Sequence, residues 1–500
     1  MDEKYILALD QGTTSSRAIL FGRHGEIVSQ RQRPHEQIYP EPGWVSHNPR
    51  EILFNIVECA KRAMEAAGAA PGDIAAIGIT NQRETLVAWD RQTGEPVCDA
   101  VVWQCRRTAD ICRRALADGL EDLVRRDTGL LIDPYFSATK IRWILDNIPE
   151  AQNLLTEGKL AAGTMDSFLI WHLTGGARHV TDYTNASRTM LFNINTLKWD
   201  GELLDYFKIP EYILPEVVPS SGIIGHTAEG VFGARIPIAG IAGDQQAALF
   251  GQACFNTGDV KNTYGTGCFI LKNIGREPVI SRQKLLTTIA WHIGGQAVYA
   301  MEGSVFNAGA AVEWMMKEAG LARDVGEIND ICDNTPDTGG VYMAPAFSGL
   351  GAPHWDMDAR GVICGLSLSS NRRHIIRAVM ESIAFQSKDV IDAMERETGL
   401  PTGVLRVDGG VSKSRFVMQF QSDILNIPVE RQRVTEITAL GAAYLAGLAV
   451  NFYSGLDEIS KNRAADTVYK PGMDKTERDE KYAMWLKAVE RSRGWALQGS

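Results

Sequence analysis

Four short segments of this chain place carboxylates, hydroxyls and glycines where an apolar run gives way to a turn. Asp10 is followed by Gln11-Gly12-Thr13-Thr14-Ser15-Ser16-Arg17, a turn with backbone N–H groups, several hydroxyls and a carboxylate. A concave turn of this kind can hold phosphate oxygens, and its carboxylate can hold a hydrated Mg2+. Alone it is equally compatible with an ordinary hairpin turn. Tyr264-Gly265-Thr266-Gly267 and Asp408-Gly409-Gly410 have the same character, and Asp244-Gln245-Gln246 closes the run Pro237–Gly243. Their joint occurrence says more than any one, because a nucleotide held between two domains needs phosphate loops from both. The rival nucleotide motifs are missing from the sequence. There is no GxxxxGK[ST] loop, no ordered HRD and DFG pair, and no GxGxxG after the first apolar run.

The elements that must carry these loops follow from the hydrophobic pattern. Tyr5–Leu9, Pro237–Gly243 and Val404–Val407 are short continuous apolar runs, which read as buried strands. Between them lie helical patterns. Residues 371–396 carry an apolar stripe of roughly 3.6-residue period, stopped by Gly399 and Pro401. Residues 436–450 are rich in Ala and Gly and suit close helix packing, and residues 474–495 form a charged helix with Tyr482, Trp485, Leu486 and Val489 on one side. Strands alternating with helices predict an α/β architecture with covered sheets. The pattern restarts after Gly251, which places a domain boundary near residues 250–258 and divides 1–252 from 253–500.

Composition narrows the class. A net charge of −10 over 500 residues argues against a nucleic-acid binder. The longest small-apolar stretch, 439–450, is too short for the roughly 18–20 residues of a membrane span, and the opening Met1-Asp2-Glu3-Lys4 does not read as a signal peptide. A cytoplasmic protein without membrane insertion is the expectation. Cys98, Cys105 and Cys112 recur every seven residues, a spacing too wide for a zinc site, and are expected to be reduced thiols.

The loops are also recognisable. Asp10–Thr14, Gly243–Gln246 and Asn262–Gly267 resemble the actin-like sugar and polyol kinases. Tyr135–Trp143 and Gly361–Leu366, continued by His374–Ala378 and Glu381, resemble the two signatures of the FGGY carbohydrate kinases. Within that family, Gly78–Thr85, Trp103–Arg107 and Thr181–Thr189 are similar to the members that phosphorylate glycerol, and the likeness runs from residue 5 to about 490. The resemblance implies two α/β domains of the actin-like, ribonuclease-H-like type with the active site in the cleft between them. It implies ATP and Mg2+ as cofactors, glycerol as acceptor, and a homodimer or homotetramer.

It also implies residue roles. Asp244 matches the catalytic base, which would accept the proton of a primary alcohol, itself a poor nucleophile. Arg83, Glu84, Tyr135 and Gln245 match polyol-binding positions, with Arg83 and Glu84 suited to two neighbouring hydroxyls. Trp103 and Phe269 would pack on the carbon backbone. By residue type alone, Arg83-Glu84 reads rather as a surface ion pair, and Trp103 and Phe269 as core packing. Thr13, Thr14, Ser15 and Arg17 would face the phosphates, and Asp10 and Asp244 the metal. Thr266, Gly309, Glu313, Gly410 and Ser414 would line the nucleotide. Glu313 and Ser414 depart from the Gln and Asn frequent at those positions. Gly230 stands where some relatives carry a phosphorylatable His, so that control is expected to be absent. Three alternatives set the tests: a kinase of the same family for a pentulose or gluconate, an ATPase that works by domain motion with no small acceptor, and a purely structural α/β protein that binds no ATP.

Overall fold

A computed structural model describes residues 5–463 and 465–497; Met1–Lys4, whose opening was weighed above, lie outside the described residues. The apolar runs become the middles of two large sheets. The first contains β1 (Tyr5–Gln11), β2 (Ser15–Phe21), β3 (Ile27–Pro34), β4 (Ile74–Asn81), β5 (Ser221–His226) and β6 (Pro237–Gly243), in the order β5-β6-β4-β1-β2-β3. The second contains β7 (Val260–Tyr264), β8 (Cys268–Gly275), β9 (Leu286–Ile293), β10 (Gln296–Val305), β11 (Leu405–Asp408), β12 (Val429–Gln432) and β13 (Ala465–Tyr469), in the order β9-β10-β8-β7-β11-β12-β13.

The two sheets repeat one topology. In the first, β1, β2 and β3 form an antiparallel meander, and β4 and β6 join parallel to β1. In the second, β7, β8 and β10 form the meander, and β11 and β12 join parallel to β7. This is the paired ribonuclease-H-like arrangement of an actin-like fold. Because β1, β4 and β6 are parallel neighbours, their C-terminal ends share one edge, where ligands of open α/β sheets bind.

The helices cover the sheets. In α1 (Pro49–Ala67), Asn48 caps the N-terminus, Pro49 opens the first turn and Gly68 closes the end in the left-handed region. Next come α2 (Asp244–Gly251), α3 (Gly309–Lys317), α4 (Arg372–Thr398), α5 (Arg415–Leu425), α6 (Ile437–Ala449) and α7 (Lys475–Ser492). Helix α7 ends at Ser492, short of the expected Trp495, because Arg493 turns to extended backbone and Gly494 takes a φ of 59°.

Helix α6 follows β12 of the second sheet in sequence but packs on β1, β4 and β6 of the first sheet and on α2. Its contact with α2 is intimate: a Cβ on Gly441 would run into the backbone carbonyl of Ala247. One apolar cluster therefore unites Ile6, Ala8 and Phe250 with Leu271, Trp291 and Leu445. Among the described residues, no helix is long and apolar enough to cross a membrane. Cys98, Cys105 and Cys112 are free thiols, and burial pushes Cys98 up to about 11 and Cys112 up to about 12.

Candidate active site

Strand register brings the two carboxylates of the sequence reading to one place. Asp10 near the end of β1 pairs with Thr80 of β4, and Ala242 near the end of β6 pairs with the same Thr80 from the other side. Asp244 is the next residue but one, the first of α2. Asp10 is 4% exposed. Burial raises its carboxyl to about 6; Arg17 opposes this, and the nearby Glu436 and Asp244 carboxylates add to it. Arg17, its cross-strand partner, lies 3.4 Å away through Nε, while its Nη1 donates to Glu436. The Asp244 side chain is 32% exposed, and its Oδ1 accepts from the Gln245 backbone N–H at 2.7 Å and lies 3.2 Å from Arg83 Nε.

The phosphate-type turn between β1 and β2 is braced from outside. Gly12 N–H donates to the Ser15 carbonyl at 2.9 Å. The Thr13 carbonyl accepts from His35 Nε2 at 2.8 Å and Gln37 Nε2 at 3.0 Å, and Ser15 Oγ accepts from Gln32 at 2.7 Å. Thr14 is exposed. Trp103 donates from Nε1 to Thr13 Oγ1 at 3.0 Å and meets the Tyr135 ring edge-on. The Trp103–Tyr135 ring pair and the β1–β2 turn are thus in direct contact.

Beyond β4 the chain makes a tight turn. Gln82 N–H donates to the Gln11 carbonyl and Thr85 N–H to the Arg83 carbonyl, both at 2.7 Å, with Glu84 at a φ of 59°. The Gln82 amide donates to His47 Nδ1 at 3.2 Å, and His47 Nε2 donates to Gln37 at 2.9 Å. Burial, and then neighbouring His35, push the His47 imidazole down to about 3.

This turn delivers Arg83 and Glu84 into a buried set of charges that the sequence reading missed. Arg83 forks onto Glu302 of β10, with Nη1 at 2.5 Å and Nη2 at 3.1 Å, and also reaches Gln246 at 3.3 Å and the Tyr135 hydroxyl at 3.5 Å. Arg188 donates to Glu84 at 2.6 Å and to Glu302 at 3.1 Å. All four charged side chains are almost fully buried. The two arginines overcome the burial that opposes ionisation of Glu302 and hold it down at about 2. Arg83 directs most of its donors to protein acceptors. A lone carboxylate in an otherwise apolar strand, Tyr299-Ala300-Met301-Glu302, was the signal that something must pair with it.

The second sheet presents the remaining residues. Lys261 on β7 is fully buried and donates to Gln245 Oε1 and, at 2.9 Å, to Thr263 Oγ1. Burial lowers its ammonium to about 8 against the pull of Asp408 and Asp244. Phe269 on β8 is half-buried opposite Thr263. Thr266 is exposed in the β7–β8 turn, and its carbonyl accepts from Ala308 and Ala310 N–H at 2.9 and 3.0 Å. Gly309 opens α3 against that turn; a Cβ would lie 2.6 Å from the Gly265 carbonyl oxygen. Gly410 faces open space. Ser414 caps α5 and donates to Asn329 at 2.8 Å, while Glu313 lies exposed on α3 paired with Lys317. Contacts therefore join Asp244, Arg83, Glu84, Tyr135, Trp103, Thr13 and Gln245, but leave Glu313 and Ser414 in separate local interactions. Two surface hollows of about 430 and 490 Å³, bordered by Phe192 and Trp199 and by His24 and Tyr444, carry none of these residues.

Residues 5–251 match the N-terminal domain of the FGGY family of carbohydrate kinases, and residues 260–450 its C-terminal domain. The chain is 54% identical to glycerol kinase 2 of Thermotoga maritima over 98% of this chain and 99% of that protein. It is 55% identical to the glycerol kinase of Caldanaerobacter subterraneus subsp. tengcongensis over 99% of each. The crystal structure of Plasmodium falciparum glycerol kinase with ADP is similar at a TM-score of 0.94, with 39% identity and 98% of both chains covered. A ligand-bound xylulose kinase from Lactobacillus acidophilus shares the fold at a TM-score of 0.87 and 24% identity, over 98% of this chain and 97% of that one. Loops, repeated topology and full-length relatives agree: the chain belongs to the FGGY family of carbohydrate kinases.

Proposed function

We propose that the chain transfers the γ-phosphoryl group of Mg·ATP to a primary hydroxyl of glycerol, forming sn-glycerol 3-phosphate for glycerol uptake and catabolism. The observation that carries this reading is the half-open Asp244 carboxylate, 3.2 Å from Arg83 Nε at the start of α2, with Asp10 one strand away across Thr80. Two relatives that are 54% and 55% identical to this chain, each covered over 99% of its length, carry the name glycerol kinase.

In this reading Asp244 accepts the proton of the attacking hydroxyl as the new bond forms. Glu84 has one oxygen committed to Arg188 and offers the other to a substrate hydroxyl. The 3.5 Å contact between Arg83 and the Tyr135 hydroxyl is at the limit of a hydrogen bond, so a glycerol hydroxyl can take its place. Trp103 and Phe269 flank the carbon chain. The hydroxyls and N–H groups of Thr13, Thr14 and Ser15 face the transferred phosphates with Arg17 beside them, and Thr266, Gly309 and Gly410 border the rest of the nucleotide.

The residues present fit Mg2+. Asp10 and Asp244 are hard oxygen donors, and burial raises the Asp10 carboxyl by more than Arg17 lowers it. Among the described residues, no group of three or more His, Cys, Asp or Glu forms a metal cage. A Mg2+ there would be held by one or two carboxylates together with phosphates and water. Bound there, it would neutralise charge on the transferring phosphoryl group.

ATP-dependent phosphorylation measured side by side with glycerol, dihydroxyacetone, erythritol, xylulose and gluconate tests the reading. Glycerol should show the highest kcat/KM. A preference for xylulose or gluconate would overturn the substrate, and slow ATP hydrolysis with no acceptor turned over would overturn the kinase.

A further inference from the structure

Two opposite charges in the second sheet are fully buried, face the first domain, and have no role in the chemistry above. Lys261 on β7 pairs with Leu271 on β8, and Leu271 pairs with Glu302 on β10. The three side chains therefore stand on one rung and one face of the sheet. Leu271 enters the apolar cluster shared with Phe250 of α2, which fixes the rung against the first domain. The charges on either side of it each take hold of a polyol-site residue. Glu302 receives the Arg83 fork, and Lys261 donates to Gln245 Oε1.

Both contacts dictate orientation as well as position. A carboxylate accepting two parallel N–H bonds fixes the guanidinium plane, which leaves Arg83 Nε directed at Asp244. An ammonium has only donors, so the Gln245 amide must turn its oxygen to Lys261 and offer its NH2 elsewhere. Without the lysine that amide is free to flip.

Building on the glycerol reading, we infer that Glu302 and Lys261 are positioning residues with which the second domain aligns Arg83 and Gln245 of the first for the polyol. The acceptor site is then a property of the assembled pair of domains, although its polyol-contacting polar groups lie in the first. Arg188 completes the template by pairing Glu302 with Glu84.

The full-length enzyme tests this by a double-mutant cycle. Lys261→Met removes a buried cation and keeps the stem, so it should fold. It should raise the glycerol KM by about 5- to 20-fold with the ATP KM near its starting value. In a Gln245→Ala background the same change should add little, since the residue it orients is gone. Glu302→Gln should likewise raise the glycerol KM, and Arg83→Lys should absorb most of its effect. Should Glu302→Gln fail to fold, the Lys261 and Gln245 cycle stands alone as the test. An unchanged glycerol KM in Lys261→Met, or full additivity with Gln245→Ala, would overturn the inference. Wild-type enzyme that turns over no glycerol would overturn the functional reading instead, and the wild-type assay separates the two failures.

Discussion

Asp244 and Arg83 touch, yet substitution at each should have very different consequences. Asp244 is partly open, and its protein contacts are to one backbone N–H and to Arg83. Asn keeps the shape and an oxygen that can accept from both, but it cannot take the substrate's proton. We expect Asp244→Asn to fold normally and to lose about 10²- to 10⁴-fold in kcat, with little change in ATP binding. Steady-state kinetics beside a thermal melt would check it, and nearly full kcat would remove Asp244 from the role of base. Arg83, Arg188, Glu84 and Glu302 instead form a buried set whose formal charges cancel. Deleting one partner of such a set typically costs about 3–5 kcal/mol, because it strands the others. Activity lost on changing any of those four would not by itself identify a contact with substrate.

Between residue and fold stands the turn Gln82–Thr85, held by a neighbouring element rather than by its own sequence. His47, in the two-residue strand Ser46–His47, accepts from Gln82 and donates to Gln37, an arrangement that requires a neutral ring. Burial pushes its imidazole down to about 3. The unfolded chain takes up that proton near pH ~6.5, so the contribution is intact above that pH and is lost progressively as pH falls toward 3. Asp10 and Asp166, both raised to about 6 by burial, act in the opposite sense, so a difference must be measured. Urea midpoints at pH 7.5 and 5.0 should fall less for His47→Gln than for wild type; an equal fall would refute the account. The turn also shows what a sequence hides. The loops at Asp10, Asp244, Thr266 and Gly410 were legible because glycines and carboxylates follow apolar strands locally. Glu302, Lys261 and Arg188 were not assigned, since their partners lie 219, 16 and 104 residues away. Ser414 and Glu313 show the converse: their motif positions were visible, but their side-chain partners, Asn329 and Lys317, depend on folding.

At the scale of the whole molecule, the division proposed at 252/253 separates the two sheets but cuts through the packing. Helix α6 lies at 437–449, far beyond that division, yet it covers β1, β4 and β6 of the first sheet and presses its glycine backbone on α2. A fragment of residues 1–252 would therefore keep every strand of its sheet and lose the helix that seals one face. Ile6, Ala8, Ala239 and Ala242, all buried in the shared cluster, would meet water. Exposed apolar surface costs roughly 25 cal/mol per Å², and a domain stable by only about 5–15 kcal/mol cannot give up a whole face of its sheet. We expect fragment 1–252 to aggregate or to bind a hydrophobic dye without a cooperative melt, and co-expression with 253–500 to restore a soluble complex. The intact chain should unfold in one transition, because the cluster that joins Phe250 to Leu271 and Leu445 belongs to both halves. A monomeric 1–252 fragment with a sharp melt would show instead that the first sheet folds without α6, and that the shared cluster docks two finished domains rather than completing them.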